Sequence, residues 1–250
     1  MSAEPYRLDT PRVVGVGSGK GGVGKSTTSV HLATFADLAG YRTLLVDTDV
    51  NRTAYEWVMR AGDRMPFAID AQTDGAVLAR LHEISGYDII IVDLPGARTT
   101  AAWTALLHGG EEARTRNDVL GLDALIVPTQ VETADLRVTT AFIAETIAPL
   151  GLPYLLVGTR VRHQSVTVAL RALNNLVAGG FNVARTIIRD LSPHGDAITQ
   201  NRPITQVGPR HSTARHSTAR MAEREYRDLA REIFAGLLTL TWPTDTPQED

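Results

Sequence analysis

Apolar residues in this chain gather into short unbroken runs, separated by longer stretches in which they recur every three or four positions. The runs Arg12-Val13-Val14-Gly15-Val16, Thr43-Leu44-Leu45-Val46 and Asp88-Ile89-Ile90-Ile91-Val92 read as strands. Further strands are expected at 66–70, 122–128, 153–159 and 183–188. Helices are expected over 27–36, ended by Gly40, and at 52–61, 75–84, 99–107, 133–148, 165–178, 192–200 and from about 213 to 240. A run such as 88–92 lacks the polar alternation of a strand with one wet face, so both its faces must be covered. Alternation of such strands with helices predicts an α/β fold, a doubly wound, mostly parallel sheet with helices on both faces. The length of 250 residues suits one domain over 1–250, with a short tail at 1–11 and an acidic one at 241–250.

The chemistry concentrates between the first strand and the first helix. Residues 19–26, Gly19-Lys20-Gly21-Gly22-Val23-Gly24-Lys25-Ser26, fit the phosphate-loop pattern G-x-x-x-x-G-K-[ST]. Glycines let the backbone close round a phosphate with its N–H groups inward, and the helix that follows adds its positive end. Gly21, Gly22, Val23, Gly24 and Thr27 are therefore expected at the phosphates, with Lys25 on the β- and γ-phosphates and the Ser26 hydroxyl on Mg²⁺. The loop also holds the chain's two lysines, Lys20 and Lys25; the remaining 23 cationic side chains are arginines. A compact ammonium fits beside a phosphate in a tight loop where a planar guanidinium does not.

Phosphoryl transfer needs acids to hold Mg²⁺ and orient water. Asp47 and Asp49 follow one predicted strand and Asp93 ends another, where ligands bind in open parallel sheets. Each acid alone could equally be a helix cap or turn residue. The absence of cysteine excludes disulfides, thiolate metal sites and cysteine nucleophiles. No run of 18 apolar residues exists and the start, Met1-Ser2-Ala3-Glu4-Pro5, is not a signal peptide, so a cytoplasmic location is expected.

The run Lys20-Gly21-Gly22-Val23-Gly24-Lys25-Ser26-Thr27 resembles the deviant Walker A box of the ParA/MinD family of P-loop ATPases, and within it the small ParA-type partition ATPases. The resemblance covers nearly the whole chain. It implies a P-loop NTPase fold, ATP and Mg²⁺ as ligands, and a homodimer formed on ATP in which Lys20 reaches the partner's nucleotide. It also implies that Asp49 positions the hydrolytic water, that Asp47 supports it and Mg²⁺, and that Asp93 holds a Mg²⁺-bound water. The adenine would lie near Thr159-Arg160 and near Ile188-Arg189-Asp190, which makes Arg189 and Asp190 candidate base contacts. Lys20, Lys25 and Asp49 are the expected catalytic residues, and Ser26, Asp47 and Asp93 the metal set. The chain departs from the family where D-x-D-P-Q-G is replaced by Asp47-Thr48-Asp49-Val50-Asn51, and D-x-P-P by Asp93-Leu94-Pro95-Gly96.

Charge is uneven along the chain. Residues 158–220 carry 9 arginines and 2 acids, net +7, whereas 1–157 and 221–250 are net −6 and −4. Such a block suits salt-sensitive, sequence-independent binding to a phosphate backbone; an arginine-rich surface of mere codon bias is the bland alternative. By resemblance to partition ATPases, Arg202, Arg210, Arg215 and Arg220 are the DNA candidates. The family further implies a ParB-like or other centromere-binding adaptor that stimulates a weak hydrolysis, and a nucleoid-associated location. The acidic, proline-broken end Thr241–Asp250 argues against a membrane-binding helix. A charged stretch, 109–118, reads as an insertion, and His211-Ser212-Thr213-Ala214-Arg215 is repeated as His216-Ser217-Thr218-Ala219-Arg220. The implied function is partition or positioning of plasmid or chromosome DNA. Positioning of a non-DNA cargo such as a protein compartment, a metabolic P-loop ligase, and a non-hydrolysing regulatory module are the alternatives.

Overall fold

The computed structural model describes residues 6–109, 121–207 and 213–243, without the side chains of 213–217. The predicted insertion beyond Gly109, the first two residues of the repeat and the last seven of the chain lie outside it.

Strands β1 (Arg12–Val16), β2 (Thr43–Asp47), β3 (Ala68–Ala71), β4 (Ile89–Asp93), β5 (Ala124–Thr129) and β6 (Tyr154–Gly158) form one sheet in the order 3-2-4-1-5-6. Every pairing is parallel. The helices between them are α1 (Lys25–Leu38), α2 (Thr53–Ala61), α3 (Gly75–Leu78), α4 (Ala101–His108), α5 (Thr133–Phe142), α6 (Val166–Ala178), α7 (Ser192–Thr199) and α8 (Thr213–Arg231).

Successive residues of a strand point to opposite faces, and this divides the core in two. Val14, Val16, Leu45, Ile89 and Ile91 pack with α1, α2, α7 and α8, whereas Val13, Leu44, Val46, Ile90 and Val92 pack with α3, α4 and α5. Helix α1 lies deepest, with Thr28–Ala36 buried. At its middle, His31 meets Tyr226 of α8, Trp57 of α2 and His194 of α7 at ring-centroid distances of 4.4, 5.6 and 6.1 Å. Among the described residues neither imidazole nitrogen of His31 has a hydrogen-bond partner; burial pushes His31 well below its ordinary value and His194 down to about 4, the Arg189 backbone opposing the fall of His194.

Four expected elements are corrected. The segment 183–188 does not form a strand; it meets β6 at an isolated bridge, Leu156 to Val183, and through the Ile188 amide, which donates to the Gly158 carbonyl at 2.8 Å, with a second bridge just beyond, Val161 to Arg189. The amides that a further strand would have taken are occupied. Arg185 and Thr186 donate theirs to Glu232 at 2.8 Å, and Arg189 donates its own to Glu225 at 3.0 Å. Glu225 and Glu232 are seven residues apart, two helical turns, so both reach the same side. The helix expected over 75–84 stops at Leu78 and re-forms as a short turn at Leu81–Glu83, which lets both Leu78 and Leu81 enter one core. The helices of 133–148 and 213–240 each end in a wider turn, Ile143–Ile147 and Glu232–Leu237.

The tails are docked where described. Tyr6 stacks on Tyr41 at 5.0 Å, Leu8 donates to buried Asp88 at 3.0 Å, and Trp242 stacks on Phe234 at 5.3 Å. Among the described residues no helix is long and apolar enough to cross a membrane.

Candidate functional site

The glycine loop leaves the carboxyl end of the central strand β1 and enters α1. Gly22 and Gly24 sit at φ +74° and +89°, a left-handed backbone that strains any residue with a Cβ. Gly17 is demanded by packing instead: an added Cβ would lie 2.4 Å from the Trp103 ring. That ring is fixed by its indole N–H, which donates to the Pro95 carbonyl at 3.0 Å. The strand behind the loop and the turn after β4 are thereby locked together.

The three acids gather at the ends of neighbouring strands. Asp47 and Asp93 are register partners across β2 and β4. Asp93 is 1% exposed and accepts hydrogen bonds from the Ser29 hydroxyl at 2.9 Å and from Ser26, both on α1. Burial pushes its carboxyl up to about 7; the Ser26 and Ser29 hydroxyls and Lys25 oppose the rise, and Asp47 adds to it. Asp47 is fully buried, with one oxygen accepting the Asp49 amide at 3.0 Å and the other the Tyr55 amide at 2.9 Å. It therefore shapes the turn between β2 and α2, and both its oxygens are engaged. Asp49 is partly exposed; its Oδ1 accepts the Asn51 amide at 3.0 Å, and its Oδ2 has no partner among the described residues. Arg52, at φ +50°, takes the left-handed backbone that the glycine of D-x-D-P-Q-G would take without strain.

The two lysines behave differently. Lys25 points back over the loop, its Nζ 3.4 Å from the Lys20 carbonyl. Lys20 is half-exposed and pairs with Asp135 of α5, a nearly buried carboxylate whose other oxygen has no partner among the described residues. On the far side, Thr159 donates to the Val23 carbonyl at 2.7 Å and Arg160 to the Gly22 carbonyl at 2.9 Å. Asp135, Ser29 and these two loop contacts have no local motif. Only the spacing of Ser29, one turn beyond Ser26 on the helix, could have suggested one of them.

The expected base and DNA contacts differ in their surroundings. Arg189 is tied to Glu225 and Asp190 is exposed. Arg202 is half-buried with an unpartnered Nε, and Arg220 is exposed on α8. Arg210 lies outside the described residues, as does the side chain of Arg215.

The donor set fits a Mg²⁺–phosphate ligand. Among the described residues no three His, Asp or Glu side chains form a cage. Mg²⁺ needs only one or two carboxylates beside phosphate oxygens and water, and a buried carboxylate with a raised pKa is a group that a cation would relieve.

A parallel sheet with its central strand running through a glycine loop into a buried helix, and carboxylates at the adjacent strand ends, defines a P-loop nucleotide-binding protein. The CobQ/CobB/MinD/ParA nucleotide binding domain model matches residues 14–204, and the chain belongs to that family. The maintenance of carboxysome distribution protein A of Gloeobacter kilaueensis is 33% identical over 223 residues, covering 89% of this chain and 94% of that protein. The ATP complex of a Cyanothece McdA variant superposes with a TM-score of 0.66 at 15% identity, over 94% of this chain and 99% of that one. A plasmid partition protein of Borrelia burgdorferi B31 bound to AMPPNP gives 0.63 at 15% identity, over 89% and 99%. At that identity both structures speak to the fold. The chain is thus an α/β protein of the ParA/MinD type of positioning ATPases.

Proposed function

We propose that this chain binds ATP and Mg²⁺, dimerises on them, and uses their hydrolysis to position a large cargo along DNA. The observation that carries the reading is the convergence of Lys25, Ser26 and Asp93 at the glycine loop, with a second lysine, Lys20, in the loop and Asp49 bonded to Asp47, the register partner of Asp93. Lys25 and the loop amides hold the phosphates. Ser26 and Asp93 would hold Mg²⁺, with Asp47 behind them, and the ion would supply positive charge against the phosphate oxygens. Asp49 orients the water that attacks the γ-phosphorus, whose bond to the bridging oxygen breaks to leave ADP and phosphate. Lys20 exchanges Asp135 for the nucleotide of the partner protomer, so the competent site is a dimer.

The ATP-bound dimer binds DNA non-specifically through Arg202, Arg210, Arg215 and Arg220, and an adaptor protein, ParB-like or of another kind, stimulates hydrolysis and releases it. The relative at 33% identity is named for carboxysome distribution, which favours a protein compartment as cargo over a plasmid or chromosome. DNA is then the track, and the protein is nucleoid-associated.

Light scattering and DNA retention with and without ATP test this. The wild type should double in mass and retain DNA only with ATP, losing DNA as salt rises. Lys20→Ala should bind ATP yet stay monomeric. A wild type whose mass and DNA retention ignore ATP would sink the reading. Deletion that leaves every protein body in place while a plasmid is lost at division would return the cargo to DNA.

A further inference from the structure

The end of β6 is joined to the glycine loop by two hydrogen bonds across more than 130 residues of sequence. Thr159 is 2% exposed, and its hydroxyl donates to the Val23 carbonyl at 2.7 Å and to the Thr129 carbonyl at 3.2 Å. Arg160 follows it with φ +53°, a left-handed backbone that costs an arginine free energy, and its guanidinium donates to the Gly22 carbonyl at 2.9 Å. A strained residue holding one specific contact is not the cheapest way to end a strand.

In a trans peptide the carbonyl and the N–H of one plane point in opposite directions. Fixing the Gly22 carbonyl therefore fixes the Val23 N–H, and fixing the Val23 carbonyl fixes the Gly24 N–H. Both carbonyls are held toward β6, so both N–H groups are turned away from it. Neither N–H has a protein acceptor among the described residues. With the Val23 carbonyl taken by Thr159, the first backbone bond of the helix is Thr28 to Gly24, at 2.9 Å. The amides ahead of it stay free for an anion.

We propose that Thr159 and Arg160 are positioning residues for the phosphate loop: they hold the Gly22 and Val23 peptides in the orientation that presents N–H groups to phosphate. Neither touches the reacting atoms. The inference rests on the nucleotide-binding reading above, and it gives the segment after β6 a role beyond flanking a base. The loop is built from glycines that could adopt several orientations, and the latch selects one before the ligand arrives.

The test measures the Kd for Mg²⁺–ATP and the inhibition constant of inorganic tripolyphosphate, which has no base, for the wild type, Thr159→Val, Thr159→Ser and Arg160→Gly. Each loss of a latch bond should weaken ATP and tripolyphosphate by the same factor, about tenfold, and Thr159→Ser should restore wild-type binding. Arg160→Gly should melt within a few degrees of the wild type, because glycine accepts the left-handed backbone, while binding nucleotide more weakly; this outcome does not depend on the fold being damaged. Variants that bind both ligands as the wild type does would overturn the latch. So would a loss confined to ATP, which would mean a contact to the base. A wild type that binds neither ligand would overturn the nucleotide reading itself, and the latch with it.

Discussion

Asp93 carries a carboxyl that is 1% exposed and pushed from an ordinary 3.8 up to about 7. Replacing it by asparagine keeps the shape and an oxygen for the Ser29 hydroxyl while removing the charge. Below about pH 4 the carboxyl is protonated in both folded and unfolded chains. Between pH 4 and 7 the folded chain keeps a proton that the unfolded chain has released. The raised value therefore contributes stability that is full at low pH and is lost as pH rises through 7. The whole rise corresponds to about 4 kcal/mol, of which about 3 kcal/mol falls between pH 5 and pH 8. Without nucleotide or divalent cation, the advantage of Asp93→Asn over the wild type should widen by that amount across this range. For a chain of this length that is a melting-temperature difference growing by about 6–12 °C. Thermal melts in EDTA at half-unit pH steps measure it. Curves for the two proteins that stay parallel from pH 5 to 8 would refute the claim that a buried, strained charge waits at this position. Mg²⁺–ATP should raise the melting temperature of the wild type more than that of the variant, since the cation relieves a charge the variant lacks.

Other expectations follow from the same geometry. Asp49→Ala should still bind ATP and dimerise but turn over at least about a hundredfold more slowly, the usual scale for losing a general-base or water-positioning group; single-turnover phosphate release checks it, and unchanged release would remove Asp49 from that role. His194→Phe should lose about 2–3 kcal/mol less stability than the wild type as pH falls from 6.5 toward 4, because His194 is held down to about 4 by burial and its contribution is present above 6.5 and lost as pH falls through the folded value. Identical acid limbs in urea titrations would contradict this. Gly17→Ala should cost about 1–3 kcal/mol, the scale of overpacking, since its methyl would meet the Trp103 ring at 2.4 Å; an unshifted denaturation midpoint would show that the indole can move.

The sheet was legible because its central strands are continuous apolar runs bounded by turns, and 88–92 in particular admits no other placement than a covered strand. The phosphate loop and its three acids were legible because each is a local pattern at a strand end. What escaped the sequence depends on distant segments meeting. Val183 to Ile188 reads as a strand, but Glu232, more than forty residues later, takes the Arg185 and Thr186 amides in its middle. Asp135 acquires its role only because α5 brings it to Lys20, and Thr159 only because β6 ends beside Val23. Two of the nine arginines of the basic block are engaged by other parts of the chain, Arg189 by Glu225 and Arg160 by the loop. Linear charge density does not say where side chains point.

The carboxylates of Glu225 and Glu232 have a consequence for assembly. A parallel sheet ends in a row of unpaired amides that invites another chain to add a strand. Here the border beyond β6 offers no such row, because two glutamates two turns apart have already answered its outward amides. At the opposite border, β3 is only four residues long. Among the described residues there is therefore no ready seam along which copies could zip backbone to backbone. An association through the described surface would then be made by side chains and bound ligand and not by a continuous hydrogen-bonded ribbon.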